Sequence, residues 1–569
     1  MELRQSKAES CRGEMAHVTE APASRASRLD RVVPAWLDAL SILHGLVLVA
    51  GFAFYLRISR HQWFFGDDWD FVTVGRAARP WVDEYLGPHN EHWVTVPLLL
   101  FRAAEGLFGL ESYLPFMLPV IAAHIALSHV LWRFMVRIGV VREIAFAGST
   151  LFVFLPSAHE NLLWAFQIAF VGPILLGFIA ILLIDHPGPW NGRDWAAAVI
   201  LLVSLGFSGL SIPMIVVAAA LEASRRGLLA ATGIALVPAA AYLWWWSRFH
   251  GDTIYAARSV SEFLYSLDDF VAMGLTAAVE QTLGYASSYS AGAGFVIVLI
   301  LAAALARHTD DLCGSAIVAV LCLGGAVAML GLVAYGRVQL GPGQAAAPRY
   351  VYCISALLLP AVALSLTWLV GRSRSGAWVV AAALLALAAQ GVLTLRASAA
   401  IEATREQSIE RVLAAASTLV ATGMPVDPRA QPEPKLTQHV TVGDLQRLRG
   451  DGLLVSTAYD EGDRLTAEAN LLVGVSSVAL PGTVAQEGGC RVSLGETLTV
   501  EAPTVPTSYL VDAPEAAVLS VRLGNPETGA QGQDRELGVP TGRSYVTVLV
   551  AERRIQVGFA DRRHVAFCG

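Results

Sequence analysis

Apolar runs long enough to cross a lipid bilayer recur from residue 35 to residue 396 of this 569-residue chain. A helix rises ~1.5 Å per residue, so the ~30 Å hydrocarbon core takes roughly 17–25 apolar residues. In lipid, backbone amides find partners only within their own segment, which makes each run a helix. Eleven runs fit: 35–57, 112–135, 142–157, 166–184, 195–208, 211–224, 227–247, 290–306, 313–335, 350–371 and 376–396. The pair 195–208 and 211–224 is short and broken between Gly206 and Pro213, and merging it would invert the topology of everything after it. With 55% hydrophobic and 15% charged residues, the chain does not read as a soluble enzyme. The expected fold class is an α-helical polytopic membrane protein.

Charge bias supports eleven spans with the N-terminus cytoplasmic. Short loops on that side then carry Arg133, Arg137 and Arg142, Arg193, Arg225 and Arg226, Arg307, and Arg372 with Arg374. Residues 1–34, polar and Arg-rich, read as a disordered cytoplasmic tail. Trp244, Trp245 and Trp246 fall at the outer interface, where aromatic residues gather. Lysine occurs only at Lys7 and Lys435, leaving arginine as the residue for gripping phosphate.

An odd number of spans puts residues 397–569 outside the cell. Pro425, Pro428, Pro432 and Pro434 mark a linker there, and Val/Thr-rich alternation at Thr497–Val500, Ala517–Leu523 and Ser544–Val550 reads as strands. The segment is expected to be a small β-rich extracytoplasmic domain. Its only cysteines, Cys490 and Cys568, would pair in an oxidising compartment, a bridge of about 4 kcal/mol in the chain-entropy picture. Cys313, Cys322 and Cys353 lie in spans and read as apolar packing.

The candidate chemistry gathers at the outer face. The long first outer loop, 58–111, holds Asp67-Asp68-Trp69 within about ten residues of a membrane exit. A partly desolvated carboxylate beside another has a raised pKa, which suits a general base. The competing structural role is an acidic cap on an interfacial helix, Asp67–Arg79. In the same loop His89, Glu91 and His92 could bind a divalent cation, an acceptor sugar or a phosphate, or simply form a polar turn. Their spacing is not the i, i+4 pair of a helical zinc site. Three more clusters share that face: His159 and Glu160 with Gln167; Arg248 with His250 and Arg258; and Arg337 through Arg349-Tyr350. Arg337 and Arg349 flank a Gly-rich loop, a reasonable phosphate clamp. His44, His124 and His129, within spans, read as packing or interhelical hydrogen bonds.

Many spans, acidic residues in a long first outer loop and a C-terminal outer domain resemble the polytopic C-type glycosyltransferases, which use polyprenyl-phosphate sugars. The resemblance rests on the architecture of residues 35–396 and on Asp67-Asp68-Trp69, with Arg349-Tyr350 as weaker support. It implies a general base at Asp67 or, failing that, Asp68, and lipid-phosphate binding at Arg337 and Arg349. The expected partners are a polyprenyl-phosphate sugar, a glycan or lipid acceptor of the cell envelope, and membrane lipids. No Gly-rich Lys-Ser/Thr loop is present, and no nucleic acid is expected. The alternatives are a flippase or transporter of lipid-linked glycans, which would want charges in mid-membrane and broken helices, and an envelope acyltransferase or polymerase.

Overall fold

In a computed structural model, the described residues are 39–73, 80–186, 188–250, 253, 255–284, 315–371, 373–424, 426–454, 457–493, 497–500, 503–559 and 565–568. The expected N-terminal tail, the run 290–306 and residues 74–79 of the expected interfacial helix lie outside them. The chain forms two compact units. One comprises residues 1–60, 80–103 and 114–401; the other comprises 61–79, 104–113 and 402–569. The first outer loop is thus shared between the units.

In the first unit, seven of the eleven apolar runs form helices long and apolar enough to cross a membrane: Ala39–Ser59, Leu114–Arg137, Ala165–Ile184, Leu228–Phe249, Ala316–Leu340, Pro348–Val370 and Arg374–Ala421. Three runs are shorter helices, Arg142–Val153, Gly192–Leu205 and Ser211–Arg226, of 12, 14 and 16 residues. Ile144 through Val153 are buried without exception, so that segment is wrapped by neighbouring helices. Gly192–Leu205 and Ser211–Arg226 are separate helices, joined where Ser204 and Ser211 share a hydroxyl hydrogen bond of 2.6 Å. The helix Ile168–Ile184 is apolar all round and mostly buried, as such helices are. Glycine lets its neighbours come close: a Cβ at Gly177 would sit 2.4 Å from Met214, and one at Gly172 2.5 Å from Phe207.

Contacts within this unit sort the helix ends into two sets. At one set Arg142 bonds Ser41 at 3.0 Å and Arg137 bonds Asp185 at 3.0 Å. Arg226 there joins Glu222 at 2.6 Å, Asp194 at 3.2 Å and His186 at 3.2 Å. The arginines that the sequence marks as cytoplasmic are therefore not simply solvated, because Asp185, Asp194 and Glu222 neutralise them. At the other set Trp245 donates to Leu86 O at 2.8 Å, and the charged cluster described below assembles. The helix Ile168–Ile184 runs from Gln167 at that second set to Asp185 at the first, a length of about 25 Å.

The second unit carries the expected β-rich domain, although strands begin only at Val473. Before them come the end of the helix Arg374–Ala421 and the helices Val442–Gly450 and Glu461–Leu472. Numbered along the whole chain, β1 (Pro88–His89) and β2 (His92–Trp93) form a hairpin in the first unit. The domain contains β3 (Val473–Ser476), β4 (Val484–Gln486), β5 (Cys490–Ser493), β6 (Leu498–Val500), β7 (Thr507–Ala513) and β8 (Ala517–Gly524). It continues through β9 (Arg535–Val539), β10 (Gly542–Val548), β11 (Arg554–Phe559) and β12 (Val565–Cys568). One sheet runs β3-β10-β7-β12-β5 with β4 added to β7; the other runs β6-β11-β8-β9. Alternation along β8 buries Leu519, Val521 and Leu523 in a core shared by both sheets, with Val511, Val546, Ile555 and Phe567. Leu465 and Ala469 of the helix Glu461–Leu472 close that core. Cys490 and Cys568 are register partners across β5 and β12, and their sulfurs are bonded. Cys322 and Cys353 are buried thiols.

Candidate functional site

The hairpin β1–β2 builds one wall. Its two strands pair His89 with His92, and Asn90 takes the turn with φ 51°, a left-handed conformation that asparagine tolerates. That reversal presents Glu91, whose carboxylate meets Arg337 at 2.5 Å and the His92 ring at 3.3 Å. Burial raises the Glu91 pKa, but His92 and Arg337 outweigh it and hold the carboxyl below its ordinary range. Behind the hairpin Trp93 stacks on Trp245 with ring centres 5.7 Å apart, and Gly209 passes beside His92 and the Tyr242 hydroxyl. Trp245 is fully buried, so this residue of the Trp run does not face lipid.

Arg337 ends the helix Ser315–Arg337, and residues 338–347 return the chain through two short 3-10 turns. Gly341 between the turns has φ 82°, which only glycine takes without strain. Pro348 then opens the next helix, so Arg349 and Tyr350 stand in its first turn. Tyr350 is buried and interacts with both guanidinium groups. Arg349 lies over its ring at 5.1 Å. Glu160, on the short helix His159–Leu162, accepts from the Arg349 backbone N–H at 3.1 Å and pairs closely with its guanidinium. Asn161 donates to Arg349 O and to the Gln167 side chain, each at 3.4 Å. Two arginines thus meet at Tyr350, each paired with a carboxylate 246 or 189 positions away in the chain.

No family model and no curated protein matches this chain. Among solved structures it is similar to the crystal structure of ArnT from Cupriavidus metallidurans in the apo state. That likeness covers 69% of this chain and 82% of the other at 13% identity, with a TM-score of 0.40. A likeness of that degree carries no weight for function.

Of the residues expected from the sequence, Glu91, His92, Glu160, Gln167, Arg337, Arg349 and Tyr350 belong to this constellation. His89 packs on Phe166 with ring centres 5.1 Å apart. His159 turns to Pro156 O at 3.1 Å, and Arg248 is exposed at the end of its helix. Tyr242 and Gln344, which donates nothing to the sequence signal but accepts from Arg349 at 3.4 Å, were not expected. Tyr242 lies inside an apolar run, where no pattern distinguishes it.

Asp67, Asp68 and Trp69 belong to the second unit, where they differ sharply. Asp68 is fully buried; its carboxylate accepts from the Tyr113 hydroxyl at 2.5 Å and from Phe65 N–H at 3.2 Å. It therefore opens the helix Asp68–Thr73 as a structural acid. Trp69 is buried and donates to Phe64 O at 3.3 Å. Asp67 is half-buried and keeps access to solvent. Nearby, Glu406 accepts from Trp63 N–H at 2.8 Å, and Arg405 covers the Phe65 ring at 4.1 Å. Neither was expected from the sequence, and the signal that could have found them is the run of charges after Leu395.

Proposed function

We propose that the chain is a membrane glycosyltransferase of the C type, moving a sugar from a polyprenyl-phosphate donor to a glycan or lipid acceptor. The observation that carries this is the convergence of Arg337 and Arg349 on Tyr350 at the ends of two apolar helices. A lipid phosphate has its charge at the headgroup plane and its tail in the bilayer, which is where helix ends place cationic forks. As the sugar leaves, negative charge grows on that phosphate, and two preorganised guanidinium groups stabilise it. Glu91, held low by His92 and Arg337, is better suited to orienting Arg337 than to taking a proton, and Glu160 orients Arg349 through its backbone N–H and guanidinium. The acceptor hydroxyl needs a base, and that role is given to Asp67, which keeps access to solvent, whereas Asp68 is fully buried. Asp67 and Asp70 would supply carboxylate oxygens to a divalent cation bound there. The site faces the cell exterior in this proposal.

The experiment is transfer from a polyprenyl-phosphate sugar by purified protein in liposomes. Arg349→Ala should weaken both donor binding and turnover, whereas Asp67→Asn should cut turnover about 10²–10⁴-fold with donor affinity kept. Wild-type transfer rates in both variants would overturn the assignment of roles. Donor translocation without bond cleavage would establish the transporter instead.

A further inference from the structure

A cavity of about 290 Å³ opens in the second unit where the helix Glu461–Leu472 runs into β3. That is near the lower end of the range for small-molecule pockets. Leu472, Val475 and Leu480 line it with aliphatic surface, and Arg535 supplies its cationic group. Arg535 sits at the start of β9, and one guanidinium nitrogen caps the helix by donating to Ala469 O and Asn470 O. Its other two guanidinium nitrogens have no protein partner among the described residues. This sets it apart from Arg522, Arg543 and Arg553 of the same domain, which hold Asp534, Asp512 and Glu468. Burial without a compensating anion pulls Arg535 down to about 10, which marks the cost of leaving that charge unpaired.

We propose that this cavity binds a small organic oxyanion through the two unused nitrogens of Arg535, with the compact body of the ligand against the aliphatic wall. A planar guanidinium matches a carboxylate or a phosphate monoester equally, and both are found on acidic sugars. The site is separate from the Arg337–Arg349 constellation, and ligand binding here does not depend on transferase activity.

The test is calorimetric titration of the full-length protein in detergent with glucuronate, glucose 1-phosphate and neutral glucose. Binding of either acid, with glucose inert, is expected, and the stronger of the two identifies the source of the oxyanion. Arg535→Gln keeps an amide donor for the helix-end carbonyls and should weaken binding roughly 10–100-fold, the worth of a charge-assisted hydrogen bond. Gly474 lines the cavity with open space beyond its Cα, so Gly474→Phe should fill it and abolish binding while leaving Arg535 in place. If Arg535→Gln fails to fold, Gly474→Phe decides. No binding of either acid, equal binding of glucose, or wild-type binding in Gly474→Phe would overturn the proposal.

Discussion

Replacing Glu91 with glutamine removes a charge without changing shape, and leaves Arg337 facing a neutral amide. The two side chains are 19% and 14% exposed, so the pair sits between two measured regimes. An exposed pair is worth ~0.2–1 kcal/mol, and breaking a fully buried one costs ~3–5 kcal/mol. About 2 kcal/mol is therefore expected at neutral pH, which is a few degrees of melting temperature in a chain of this size. The pH dependence has a definite sign. Burial opposes ionisation of Glu91, but His92 and Arg337 bring its folded pKa below the ordinary 4.5. A carboxyl depressed on folding contributes stability that is fully present above its unfolded pKa and is lost as pH falls through the folded value. The gap between wild type and Glu91→Gln should hold from pH 7 down to about 4.5 and close below it. Thermal unfolding followed by tryptophan fluorescence in detergent reads this gap, with the stacked Trp93 and Trp245 as local reporters. Equal stability at pH 7, or a gap that persists unchanged at acid pH, would refute an ion pair between Glu91 and Arg337.

Tyr113→Phe should cost about 1–3 kcal/mol by leaving the buried Asp68 carboxylate without its hydroxyl donor, and Asp68→Asn should lower the melting temperature more than Asp67→Asn does. Ser261→Cys and Ser375→Cys, both exposed, should react with impermeant thiol reagents from opposite faces of the membrane, Ser375 from the cytoplasmic one; labelling from one face would break the helix-end sorting. Non-reducing peptide mapping should show Cys490 linked to Cys568, and free alkylatable thiols at both would place the domain in a reducing compartment.

The apolar runs were legible because lipid forces each backbone to bond within itself, so length and composition alone locate helices. Strands at Ala517–Gly524 and Gly542–Val548 were legible for a related reason, since a half-buried strand writes its two faces into alternate residues. Arg337 and Arg349 stood out because they flank one short loop. Glu91 and Glu160 stood out as well, each in its own polar cluster, but their pairing with these arginines did not. Glu91 is 246 positions from Arg337 and Glu160 is 189 from Arg349, and no local periodicity records which charge another helix end will deliver. The same limit separates Asp67 from Asp68: neighbours in sequence and alike in chemistry, they diverge only because Tyr113 arrives over one of them. Short helices such as Arg142–Val153 likewise depend on neighbours to cover them, so their apolarity fits a membrane span and a buried core helix equally. Local hydrogen bonding and solvent exposure are written in the order of residues, whereas the pairing of distant charges follows from how the helices pack.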